Sequence, residues 1–167
     1  PAFLDQIETI NKQYPIRNLR WAFAHMDQVS ANDLERMKKL GMWAAVRAIE
    51  PVMGAIFNRV HGDRSLDMPN LRLIQDSGIK WAFHSDTTEV NQSRPFTTLW
   101  WAVTGRMVGG TKVLRATISR EEALIAHTRS EALFLFQENN LGSIQSGRLA
   151  DLLVLDRDYL TVPAGEI

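Results

Sequence analysis

Two short apolar runs in this chain end on residues that metal-assisted hydrolysis would need. Leu19-Arg-Trp-Ala-Phe-Ala closes on His25, and Ile79-Lys-Trp-Ala-Phe-His-Ser closes on Asp86. A histidine is a natural ligand for a divalent cation. A carboxylate beside such a cation can take a proton from the attacking water and return it to a departing amine. His84 precedes Asp86 by two positions, and side chains alternate along a strand, so the two share a face. There His84 either lines the substrate pocket and orients Asp86, or is a hydrogen-bonded interior histidine. Arg47 ends a third apolar run. Its fork suits a substrate carboxylate, or an ion pair with Glu50 or another loop acid.

Each of these residues also has a purely structural reading. Asp86 could cap a loop N–H, and His25 could be a satisfied, half-buried histidine. His61 sits in a stretch without periodicity and reads as solvated. His127 follows an apolar helical run and reads as structural, and Trp100 and Trp101 read as helix core.

The elements around these residues alternate. Apolar spacing at Phe3, Leu4, Ile7 and Ile10 predicts a first helix, ended by Tyr14-Pro15. Leu19 to Ala24 reads as a buried parallel strand. Ser30-Ala-Asn-Asp33 resembles a capping box, with Leu34, Met37 and Leu40 as the buried stripe and Gly41 as the stop. Met42 to Val46 is a second strand, followed by a long irregular loop from Ala48 to Leu66. Pro69 opens a helix that stops at Gly78, and Ile79 to Phe83 is the third strand. A polar loop, Thr87 to Arg94, leads to a helix opened by Pro95. Ser119-Arg-Glu-Glu122 caps a further helix, with another over Ser130 to Phe136. Ala150 to Asp156 reads as a strand. The pattern of strand–helix units predicts an α/β fold with parallel strands. In such a barrel, residues at the C-terminal strand ends line the site.

Bulk properties narrow the classes. The 167 residues can bury a core, and 19 basic residues balance 19 acidic ones. No basic stripe suggests nucleic acid, and no apolar run is long enough for a membrane span. A small-molecule substrate follows by elimination. The chain has no cysteine, which excludes disulfides and thiolate chemistry. No signal peptide is visible, and a cytoplasmic location is the expectation.

Four stretches together resemble the amidohydrolase superfamily, in its amidohydrolase family 3 (YtcJ-like) branch. They are Ala24-His25 with the following Gln28-Val-Ser; Gly78 to Asp86; Ala102 to Arg106 with Ile118 to Leu124 and Thr128 to Ala132; and Leu141-Gly-Ser-Ile-Gln-Ser-Gly-Arg-Leu-Ala-Asp-Leu-Leu-Val-Leu-Asp156. The last is the most specific. The resemblance implies strands six to eight of a TIM-like (β/α)8 barrel over residues 1–138, and part of a small flanking β-sandwich over 139–167. It implies that His25 is a metal ligand or a substrate-polarising group, that Asp86 is a metal ligand and the catalytic base, and that the metal is most naturally zinc. Arg47 and His84 are then candidate substrate-binding residues. The implied reaction is cleavage of carbon–nitrogen bonds other than peptide bonds in a small amide.

The family's first-strand His-x-His pair, the bridging residue near the fourth strand and the fifth-strand histidine have no counterpart here. His84 stands where the family commonly has glycine. Starting at Pro1, the chain reads as the C-terminal part of something longer, holding at most two of the usual ligands. It is therefore expected to be inactive alone. Open sheet edges predict a homo-oligomer, element swapping or aggregation. The contrasting expectation is a non-catalytic α/β module in which His25 and Asp86 are structural.

Overall fold

A computed structural model describes residues 2–87 and 91–167 of the chain. Residues 88–90, within the polar loop expected over Thr87–Arg94, lie outside the described residues. The centre is a parallel three-stranded sheet in the order β1–β2–β3, with β1 at Ala22–Phe23, β2 at Trp43–Arg47 and β3 at Trp81–His84. Helices fill the crossovers, as parallel pairing requires. Helix α1 (Ala2–Gln13) precedes β1; α2 (Ala31–Leu40) joins β1 to β2; α3 (Glu50–His61) and α4 (Leu71–Asp76) lie between β2 and β3; and α5 (Pro95–Thr104), α6 (Arg120–Ala126) and α7 (Arg129–Phe134) follow β3.

The expected caps form as their chemistry dictates. Ser30 accepts from the Asp33 backbone N–H, and the Asp33 side chain accepts from that of Ser30. Ser119 and Glu122 repeat the arrangement at α6. The Glu122 carboxylate also takes both terminal nitrogens of Arg72. That side-chain contact, reinforced by the Ser119 backbone, holds its pKa down at about 2. Gly41 ends α2 in the left-handed conformation with φ of 73°, and a Cβ there would lie 2.6 Å from the Arg17 carbonyl oxygen. Only glycine meets both conditions.

Leu34, Met37, Leu40, Val46, Leu71, Ile74, Phe83, Leu99 and Trp101 are buried in one core. Trp101 is fully enclosed, as expected for the α5 tryptophan pair, and Trp100 packs against the same core. Arg20 pins the C-terminal region to the sheet. Its guanidinium bonds Glu138 and the Leu133 carbonyl and lies over the Trp43 and Phe136 rings.

Two expectations are corrected. The stretch Ala48–Leu66 is not an irregular loop: it holds α3 and a 3-10 helix at Gly62–Asp67. Pro51 in the first turn and Glu50 at the N-terminus favour a helix start. Its apolar stripe, Val52, Ile56 and Val60, has helical spacing but faces outward. The buried face is Glu50, Pro51 and Gly54, with Gly54 so close to Val113 that a Cβ would overlap it. The second correction concerns Ala150–Asp156, which forms no strand pairing. Leu152, Leu153, Val154 and Leu155 are exposed, because an isolated strand has no neighbour to bond. Among the described residues, no helix is long and apolar enough to cross a membrane.

Candidate metal centre

The parallel order brings the C-terminal ends of all three strands to one edge. His25 lies two residues beyond β1, Arg47 ends β2, and His84 ends β3 with Asp86 two residues further on. Arg47 and His84 are register partners, so they project from the same side of the sheet. The Ala48 N–H donates to the His84 carbonyl at 3.0 Å and carries the pairing one residue past the strands.

His25 and Asp86 both leave their strands in the left-handed region, with φ of 56° and 55°. A side chain in that region costs about 1–2 kcal/mol, and such costs are concentrated where a geometry serves a function. The turn at His25 is tight, with the Asp27 N–H donating to the His25 carbonyl at 2.7 Å.

The result is a convergent donor set. His25, His84 and Asp86 each present one ligand atom, and these atoms lie within 4.8 Å of one another. His25 Nε2 stands 3.7 Å from Asp86 Oδ2. The His25 and His84 rings are stacked, with centroids 5.1 Å apart. His84 Nε2 is buried and, among the described residues, has no hydrogen-bond partner. Burial first, and the neighbouring His25 second, hold its pKa below the usual histidine value. Both influences favour the neutral ring, which is the form that binds a metal. Two imidazoles and a carboxylate, one nitrogen buried and unsatisfied, fit a divalent cation of the zinc type.

Arg47 is engaged within the protein. Its Nη2 donates to Asp27 Oδ2 at 2.7 Å, and its Nη1 lies 3.6 Å from Asp86 Oδ2. Of the acids considered for it, the partner is therefore a loop acid, Asp27, and not Glu50. Asp27 and Glu50 are the site-flanking residues that sequence reasoning missed. For Asp27 the available signal was its position two residues after His25. Glu50 is 1% exposed, neither of its oxygens has a hydrogen-bond partner among the described residues, and burial pushes its pKa up to about 8. An acid beside a helix-starting proline gave no hint of that burial.

The remaining histidines stand apart. His61 is exposed and stacks with Phe57. His127 pairs with Glu131 at 2.6 Å and meets the Phe83 ring edge-on.

Comparison with known proteins identifies the family. The model of a family described as the amidohydrolase family matches residues 2–167. An N-substituted formamide deformylase from Arthrobacter pascens is 30% identical over 117 residues, which is 68% of this chain and 21% of the deformylase. An uncharacterized metal-dependent hydrolase from Pyrococcus furiosus is similar over 83% of this chain and 28% of its own, with a TM-score of 0.66 and 28% identity. One from Pyrococcus horikoshii matches 97% of this chain and 32% of its own, with a TM-score of 0.74 and 22% identity. The chain thus spans between a fifth and a third of the length of these relatives.

Proposed function

The chain belongs to the amidohydrolase family, and on that footing we propose that it supplies one wall of a metal-dependent hydrolase site that cleaves carbon–nitrogen bonds in small amides. The observation that carries this reading is the convergence of His25, His84 and Asp86 at one edge of a parallel sheet. His25, His84 and Asp86 are the residues that would hold a divalent cation, with zinc the best match to two imidazoles and a carboxylate. When bound, such a cation supplies Lewis acidity toward water and a carbonyl oxygen.

The chain's own residues do the rest. Asp86 is the proton acceptor during attack and the donor to the leaving nitrogen, a role its second oxygen leaves free. His25 and His84 face it with their ring nitrogens. Arg47, anchored on Asp27, keeps a positive charge 3.6 Å from Asp86 Oδ2. It also stands at the mouth, where an anionic substrate group could meet it.

In this reading the three strands are the sixth to eighth of a TIM-like barrel over residues 1–138. Residues 139–167 belong to a small flanking β-sandwich. The exposed apolar run Leu152–Leu155 supports that placement. N-substituted formamides and related non-peptide amides are the substrate class, supported by the resemblance to the deformylase. The 167-residue chain by itself turns over little or nothing.

The test is Asp86→Asn in an enzyme carrying this segment together with the remaining barrel. Loss of at least about a hundredfold in kcat, with KM little changed, supports Asp86 as the base. Hydrolysis within a few-fold of wild type overturns it.

A further inference from the structure

Arg47 stands between two carboxylates and is divided unequally between them. Its Nη2 donates to Asp27 Oδ2 at 2.7 Å, whereas its Nη1 lies 3.6 Å from Asp86 Oδ2, beyond hydrogen-bond range. That Asp86 oxygen is also the one that His25 Nε2 approaches, at 3.7 Å. A guanidinium pairs most strongly with a carboxylate through two parallel bonds of about 2.7–2.9 Å. Arg47 forms no such pair with Asp86, although Nη1 already faces it.

What holds Arg47 back is Asp27, and Asp27 is itself held. The Met26 N–H donates to the Ala45 carbonyl at 3.3 Å, which ties the turn after β1 to β2 two residues before Arg47. The Asp27 N–H donates to the His25 carbonyl at 2.7 Å and closes the turn. The Arg47 and Asp27 side chains are 17% and 26% exposed, so the pair is largely shielded from the water that weakens surface ion pairs. Among the described residues Arg47 makes no other side-chain hydrogen bond, and its Nε is buried without a partner. The place of the guanidinium therefore depends on Asp27.

We propose that Asp27 is a positioning residue that keeps Arg47 off Asp86. It takes Nη2 and balances the guanidinium charge, so Asp86 Oδ2 stays open toward His25. Without that carboxylate, the fork turns to Asp86 and pairs with it through both terminal nitrogens. The consequence for a cation rests on the function proposed above: an Arg47 paired with Asp86 occupies the oxygens a metal would take and sets a like charge beside it. The restraint on Arg47 does not rest on that function.

The experiment has two arms on the 167-residue chain. Its variant is Asp27→Asn, which keeps the shape and an acceptor oxygen but loses the charge. In the metal-free crystal structure of that variant, Arg47 is expected to donate to Asp86 with both terminal nitrogens; a guanidinium left in its wild-type place overturns the proposal. Zinc titration reads the consequence. Asp27→Asn is expected to weaken zinc about tenfold or more, and adding Arg47→Met is expected to restore wild-type affinity, because the competitor is gone. Unchanged affinity in Asp27→Asn, or a loss that Arg47→Met does not recover, overturns the role through Arg47 and marks Asp27 as a prop of the turn after β1. Arg47→Met alone, which needs no change at Asp27, is expected to bind zinc at least as tightly as wild type; weaker binding overturns the proposal. Zinc failing to bind wild type would refute the metal centre, while the crystal structure still decides whether Asp27 restrains Arg47.

Discussion

His25 Nε2 and Asp86 Oδ2 stand 3.7 Å apart across the sheet edge, and both residues hold left-handed backbone. Neither is glycine, so the chain accepts local strain at the two positions that bring a nitrogen and an oxygen together. Asparagine tolerates the left-handed region about as well as aspartate. Asp86→Asn is therefore expected to leave folding stability within about 1 kcal/mol of wild type, while lowering zinc affinity at least about tenfold. Chemical denaturation and zinc titration on the same variant check both halves. A large stability loss would mark Asp86 as a structural cap.

His84 separates a three-ligand centre from a two-ligand one. If it binds the cation directly, His84→Ala costs as much zinc affinity as His25→Ala. If it only lines the pocket, its loss is small beside that of His25. Burial and His25 lower its pKa, so it is expected to stay available to metal at a pH where an ordinary histidine is protonated. Zinc titrations from pH 7 down to 5.5 read this directly.

Glu50 links stability to pH with a definite sign. Its folded pKa, about 8, lies above the ordinary carboxylate value of 4.5. Between those limits the folded state binds more protons than the unfolded state. Stability is then fully present at low pH and falls as pH rises through that window, by at most about 1.4 kcal/mol per unit. Glu50→Gln is expected to flatten the slope between pH 5 and 8 in denaturant titrations.

Glu122 acts in the opposite sense. Its pKa of about 2 comes chiefly from Arg72, so its contribution is present above the ordinary carboxylate range and lost as pH falls toward 2. Glu122→Ala removes half of a capping box and both Arg72 bonds. A loss of about 1–2 kcal/mol is expected near neutral pH, narrowing in acid.

Leu153 and Val154 are 77% and 100% exposed within an unpaired apolar run, and Val52, Ile56 and Val60 expose a second stripe. Surfaces of that kind associate. The 167-residue chain is expected to form dimers or larger species, and Leu153→Glu with Val154→Lys to shift it toward monomer. Light scattering over a dilution series checks this.

What was legible in the sequence follows from where the physics is local. The capping boxes at Ser30 and Ser119 and the stop at Gly41 are decided by a few adjacent residues, and they appear as expected. The ends of β1 and β3 were readable because apolar runs give way abruptly at His25 and Asp86. His84 and Asp86 do come together, but Asp86 lies beyond β3 in left-handed backbone, so strand alternation is not what places it. Helix α3 was signalled by the spacing of Val52, Ile56 and Val60 and was passed over; what the sequence did not show is that Pro51 and Gly54, and not that stripe, make its buried face. The Asp27–Arg47 pair and the burial of Glu50 depend on how β1, β2 and α3 meet, and nothing within one segment announces them. The run at Leu152–Leu155 has strand composition, but pairing needs a partner as well as a propensity.

The central claim is a cation held by His25, His84 and Asp86. X-ray absorption at the zinc edge, on chain loaded with one equivalent of zinc, tests it most directly. The account predicts a first shell of nitrogen and oxygen with the outer-ring scattering of two imidazoles, reduced to one in His84→Ala. Zinc that stays fully hydrated, or a spectrum unchanged by His84→Ala, would contradict it.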